Sequence, residues 1–255
     1  MSAAAASGPA RPREREFEDW IDFRPVAKEV TRVPDLIPDV ANLIATFVAG
    51  TERIGVFGSN FWNSRGVDAG EVRPIDPAFY DYWYNPDPVD PTRRVCDTHH
   101  RPVWIPEGLS LATVERAGLR FSPNRTEALR EIKNIPTRGG YYAVMRKEIF
   151  GKSLPEAEQI QKLNEAGYPG LAKAVDVAAV IFAINQYDGS RWLGDDTGVE
   201  RRWTMTRCVE KFSYRVWYSW RTYKIPVVVG IFSPSGVYVN DFYNHYIGVV
   251  GLRKF

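Results

Sequence analysis

Cysteine and histidine are scarce: the 255 residues hold Cys96 and Cys208, and His99, His100 and His245. Two thiols exclude a disulfide framework, leave one bridge open, and fit a reducing, cytoplasmic setting. With no C-x-x-C or H-x-x-x-H pair, neither a metal nor a cofactor is expected. Charge excess is also lacking. Thirty-three basic residues against thirty-one acidic ones give a net charge of +2, too little for a field that would by itself draw the chain to nucleic acid or membrane. The longest strongly apolar run, Val175 to Ile184, is about half of the ~20 residues that cross a bilayer, so no membrane partner is expected. The opening MSAAAASGPARPREREFEDW has no apolar signal core, and Glu14, Glu16, Glu18 and Asp19 are unlike an acid-poor transit peptide; it reads as a flexible tail. GVFGSN at 55–60 lacks the Gly-Lys-Ser/Thr ending of a phosphate loop.

What is present has the make-up of a globular protein, with 44% hydrophobic and 13% aromatic residues. The expected organisation is a tail over 1–16 and one α+β domain over 17–255. PDLIPDVANLIATFVAG (34–50) has helical spacing and a glycine stop. Residues 51–108 are rich in aromatics and prolines, which predicts short strands and ordered loops. Ser122 with Pro123 predicts a helix to about Asn134, SLPE (153–156) has capping-box spacing for a helix ending at Gly167, and a further apolar helix is expected from Pro169 to Ile184. From Arg201 the period becomes two, and PVVVGIF, GVYV and HYIGVVGL follow as short strands. Helices first and a C-terminal antiparallel sheet after them is the α+β pattern.

Three of these segments carry a resemblance. PVVVGI (226–231), SGVY (235–238) and NHYIGVVG (244–251) occur in the order and at nearly the spacing of three segments near the C-terminus of papain-like cysteine peptidases. The resemblance covers about 30 residues. It implies a papain-like fold, a general-base role for His245, and hydrolysis of a peptide or isopeptide bond in a polypeptide substrate through a thioester. A base on a strand's first residue can project into a cleft while the apolar residues behind it hold the ring.

The chain departs from that family at the nucleophile. GSNFW (58–62) keeps Gly-Ser and Trp without a thiol. TRGGYYAVMRKEIFGKSLPEAE (137–158), read as a glycine-rich turn entering an apolar helix, resembles the nucleophile helix of bacteriocin-processing peptidases, with Gly140, Tyr141 or Tyr142 in the reactive place. Of the two thiols, Cys208 falls on the apolar side of a strand. Cys96 precedes His245 in a polar loop with Arg93, Arg94, His99 and His100 nearby, the surroundings that favour a thiolate. No helix start is evident after it. No carboxylate or amide follows His245, so Asp241, Asn240 or Asn244 is left to orient the ring. The chain therefore reads either as a thiol hydrolase with an incomplete motif or as a catalytically degenerate relative.

Two rival constellations stand beside it. Cys96, His99 or His100, Cys208 and His245 have the chemistry of a zinc set, without its spacing. The other is a binding surface. In 201–224 the odd positions put Arg201, Trp203, Arg207, Lys211, Arg215, Trp217, Arg221 and Tyr223 on one strand face, which suits stacking and phosphate neutralisation along single-stranded nucleic acid. On this alternative reading the chain is a non-catalytic nucleic-acid-binding or assembly protein, a virion component among the possibilities. The competing structural account covers that face with loops, arginine stems lying on rings.

Overall fold

The computed structural model describes residues 20–21, 54–122, 127–193, 204–215, 222–233, 236–240 and 247–255. The helix expected over 34–50 lies outside them, as does the loop with Asp241, Asn244 and His245. β1 (Trp20–Ile21) and β2 (Ile54–Gly55) form a small antiparallel pair.

The 51–108 region is more helical than its prolines suggest. It holds α1 (Ser59–Asn63), α2 (Pro77–Tyr84), α3 (Val95–Thr98) and the short strand β3 (Val103–Ile105). Proline helps where it stands at N1: Pro77 opens α2, and the Asp76 side chain accepts from the Ala78 amide at 2.8 Å. Then come α4 (Leu111–Arg116), α5 (Glu127–Ile132), β4 (Tyr141–Phe150), α6 (Glu156–Glu165) and α7 (Ala174–Asp188). Last are β5 (Met205–Arg215), β6 (Thr222–Ser233), β7 (Gly236–Asn240) and β8 (Ile247–Lys254).

Three local expectations need correction. The stretch after the glycine turn at 139–140 is strand β4, not an apolar helix. Its first half is buried on both faces, so it shows no alternation, while its tyrosines and valine suit a pleated sheet. Ser153 does not cap α6: it sits at φ 66° and Pro155 takes the N-cap position. The apolar helix begins at Ala174 and runs on to Asp188, where Gly189 at φ 75° stops it.

The sheet is mixed rather than antiparallel. Its order is β3-β4-β8-β5-β6-β7, and β8 pairs antiparallel with β4 but parallel with β5, Met205 opposite Ile247. Ile247 to Leu252 are all buried, and such a continuous apolar run is what a central strand covered on both faces carries. So the last strand inserts mid-sheet, beside a strand drawn from before the helices. Both edges are covered. Phe57 exchanges backbone bonds with Pro102 and Trp104 along β3, and Arg120 and Ser122 do so with Val237 of β7.

The two faces of β8 differ. Val250 and Leu252 join the large core beneath α7, where every residue from Ala174 to Ile184 is buried and Trp62, Trp104 and Phe182 meet. Val249 belongs to a smaller cluster with Leu163 of α6, Ala166 at its C-cap and Tyr168 of the following loop. The Tyr168 ring lies over Gly251, where an added Cβ would overlap it. Alternation along β8 then puts Arg253 on the α6 side and Lys254 on the α7 side.

Candidate functional site

Beneath the α6 side lies a layer of buried polar groups. Asp87, in the turn after α2, is fully buried. Its Oδ1 accepts from the amides of Val89 at 2.7 Å and Asp90 at 3.2 Å, and its Oδ2 accepts from Thr98 Oγ1 and Arg146 Nη1. Burial alone would raise the carboxyl's pKa, but these donors outweigh it and hold Asp87 below the usual carboxylate range. Arg146, projecting from β4, is 1% exposed and also donates to Glu148 at 2.9 Å. Cation, anion and hydroxyl thus compensate one another away from water, with Arg146 Nε buried and without a hydrogen-bond partner among the described residues.

His99 closes the layer. Its Nδ1 lies 3.0 Å from the Val95 carbonyl, an acceptor, so Nδ1 carries the proton and Nε2 accepts from Tyr168 Oη at 2.7 Å, with Tyr82 Oη at 3.1 Å. Burial pushes the imidazole down from 6.5 to about 4, so the ring is neutral at neutral pH. Desolvation raises the pKa of both tyrosine hydroxyls. A sealed, neutral ring between two reluctant phenols fixes geometry; it does not shuttle protons at pH 7.

That geometry is passed to the surface. With both hydroxyls drawn inward, the half-buried Tyr82 ring faces the end of β8, while the Tyr168 ring stays buried over Gly251. The half-buried rings of Tyr82 and Phe255 lie 5.3 Å apart, and the exposed Arg253 guanidinium sits 4.6 Å above the first and 5.8 Å from the second. Among the described residues Arg253 has no carboxylate partner. Beside it opens a recess of about 480 Å³ lined by Asn164, Gly167, Tyr168, Pro169, Arg253 and Lys254. This is the size of a small-ligand site.

Of the described residues expected from the sequence, only His99 belongs to this layer. Cys96 is on α3, half-buried, with Sγ 3.8 Å from Asp97 Oδ1. It therefore stands inside a short helix, not in an irregular loop. Both nitrogens of His99 are taken by other groups, and His100 packs edge-on against Trp192 at 4.7 Å. Cys208 is sealed in the core, and the two cysteines are not joined in a disulfide. Asn240 ends β7, opposite Val228, while Asp241, Asn244 and His245 lie outside the described residues. No three His, Cys, Asp or Glu side chains among the described residues are grouped to hold a metal. No described helix is long and apolar enough to cross a membrane.

The strand face fares differently. Arg207 and Lys211 do share one face of β5, but both reach Glu156 at the start of α6, at 3.1 and 3.2 Å. A register shift falls between them, and Val209, which the alternation puts beside them, is 48% exposed. Arg215 pairs with Thr222 through the backbone, while Trp217 and Arg221 lie outside the described residues.

Asp87, Tyr82, Arg146, Tyr168 and Arg253 escape a reading of the sequence. Asp87 looks like one more turn former in NPDPVD. Only Arg146, a cation directly after the run YYAVM, carries a signal, since a charge buried with that run needs a partner. Compared with known proteins, the chain matches no family model, and no curated sequence or solved structure is significantly similar to it.

Proposed function

We propose that the protein works by binding rather than by covalent chemistry, and that its ligand is single-stranded nucleic acid taken at the Tyr82–Phe255–Arg253 platform. One observation carries this reading: an exposed guanidinium stacked on two half-buried rings, without a carboxylate partner among the described residues, at the mouth of a recess. Bases stack on such rings in a sequence-tolerant way while the cation neutralises a phosphate. An acidic peptide would use the cation and leave the rings idle. The thiol-hydrolase reading draws no support from the acid beside Cys96, since a carboxylate 3.8 Å from Sγ disfavours a thiolate.

Anisotropy of a fluorescent single-stranded oligonucleotide, titrated over a series of salt concentrations, tests the proposal. Binding should weaken linearly in log–log form as salt rises. Arg253→Ala should cost about tenfold in affinity and flatten the salt slope by about 0.7, the value for one single-strand phosphate. Absence of binding at about 50 mM salt would overturn the reading. So would labelling of Cys96 by a thiol-directed acylating probe that His245→Ala abolishes, which would favour the peptidase.

A further inference from the structure

The recess holds two cations of unequal freedom. Lys254 Nζ lies 2.7 Å from Asp176 Oδ2 and 4.0 Å from the Tyr141 ring centroid. Asp176, in the first turn of α7, is fully buried, and Tyr141 Oη donates to its other oxygen at 2.6 Å. An ionised carboxylate in such a place needs its cation, since desolvation makes an uncompensated buried charge costly. Lys254, with its side chain 37% exposed, reaches the recess yet is already neutralised from below. Arg253 is not. Asn164 adds an amide and no charge, so among the described residues the recess offers one uncompensated positive charge.

Resting on the proposed nucleic-acid reading, we infer that Asp176 is a specificity-determining residue: by neutralising Lys254 it leaves the recess matched to a singly charged phosphodiester and not to a doubly charged phosphate monoester. A monoester carries about −1.5 to −2 at neutral pH. Its second charge finds no free partner while Asp176 keeps the lysine. An internal phosphate of a strand has one negative charge and asks for one cation. The ligand on this account is the middle of a chain, not its phosphorylated end.

The test compares two short oligonucleotides on the full chain by calorimetry, identical except that one carries a 5′-phosphate. The native protein should bind them within about threefold of each other. Asp176→Asn keeps the Tyr141 acceptor and releases Lys254, and should raise affinity for the phosphorylated oligonucleotide about tenfold while moving the other by less than about threefold. Adding Lys254→Met to that variant should cancel the gain. A native preference of about tenfold for the phosphorylated form would overturn the inference, as would a folded Asp176→Asn protein without the gain. Lys254→Met alone covers the case in which Asp176→Asn fails to fold. It should leave binding of the unphosphorylated oligonucleotide within about twofold, and a tenfold loss would show that the lysine is already a ligand. Binding of both oligonucleotides with the wrong discrimination sinks this inference alone. Binding of neither, or of an acidic peptide in their place, sinks the nucleic-acid reading and this inference with it.

Discussion

On the α7 side of the sheet the core is built from rings and branched aliphatics, with Trp62, Trp104, Phe182 and the whole inner length of α7 excluding water. On the α6 side the same strands bury Arg146 and Asp87, and the neighbouring loops bury His99 and Tyr168. Apolar burial is non-directional and roughly proportional to area. A buried polar layer has fixed directions, and each member is costly if its partner leaves. The difference explains why the exposed platform stands at the rim of the polar side: a hydrogen-bonded layer can hold Tyr82 and Tyr168 at set angles, which a wall of interchangeable hydrophobes does not.

The largest effects should come from breaking each side by its own means. Phe182→Ala leaves a cavity and should cost about 3–5 kcal/mol. Arg146→Ala strands the Asp87 carboxylate and should cost about as much, 3–5 kcal/mol. What separates them is acid. Without its cation Asp87 takes a proton more easily, so the Arg146→Ala deficit should shrink as pH falls, while the Phe182→Ala deficit stays constant. Urea unfolding of both variants from pH 7 to 4 reads this out. Parallel deficits at every pH would mean that the two sides are not held differently.

A smaller effect, confined to the polar side, follows from its histidine. The native His99 ring resists protonation until about pH 4, whereas in the unfolded chain it titrates near 6.5. Between those values the unfolded chain binds more protons, so stability must fall as pH drops from 6.5 toward 4. The shift corresponds to about 3 kcal/mol. His100, pushed by burial down to about 3, acts in the same direction. Asp87, held low, gives stability that is lost only below the ordinary carboxylate range, while Glu210, which burial pushes up, opposes the histidines in this window because its folded form binds the proton first. His99→Gln should flatten the pH dependence of the melting temperature between pH 4 and 6.5. An unchanged slope would show that the ring is not sealed.

The contrast between the sides also sets what the sequence could reveal. α6, α7 and the strands from β5 onward are legible because apolar periodicity and long buried runs are written locally. β4 is not, since burial on both faces erases its alternation and YYAVM then reads as a helix. The insertion of β8 between β4 and β5 is a non-local choice that no window of residues contains. The site is harder still. Tyr82, Asp87, His99, Arg146, Tyr168 and Arg253 come from five separate segments, each ordinary by itself, and become a site only through partners far along the chain. His245 stands out because histidine is rare, whereas the described polar layer joins another of the three histidines, His99, to commoner residues.

The smallest effect on stability bears most directly on where a strand would lie. Glu156 holds Arg207 and Lys211 on the α6 side of β5, in a partly exposed cluster with side chains 28%, 12% and 48% exposed. Glu156→Gln should cost only about 0.2–1 kcal/mol, as exposed ion pairs usually do. It would, however, uncover two cations on the face that the sequence first suggested for nucleic acid. If the platform at Arg253 is the primary seat, Glu156→Gln should steepen the salt dependence of oligonucleotide binding by up to about 0.7 per released cation. Adding Arg253→Ala should still remove most of the affinity. If instead Arg253→Ala is silent and Glu156→Gln alone changes binding, the strand runs along β5, and the buried layer under Tyr82 and Tyr168 serves stability alone. The double variant decides between a rim that binds and a rim that is merely well built, because only the first makes the two substitutions unequal.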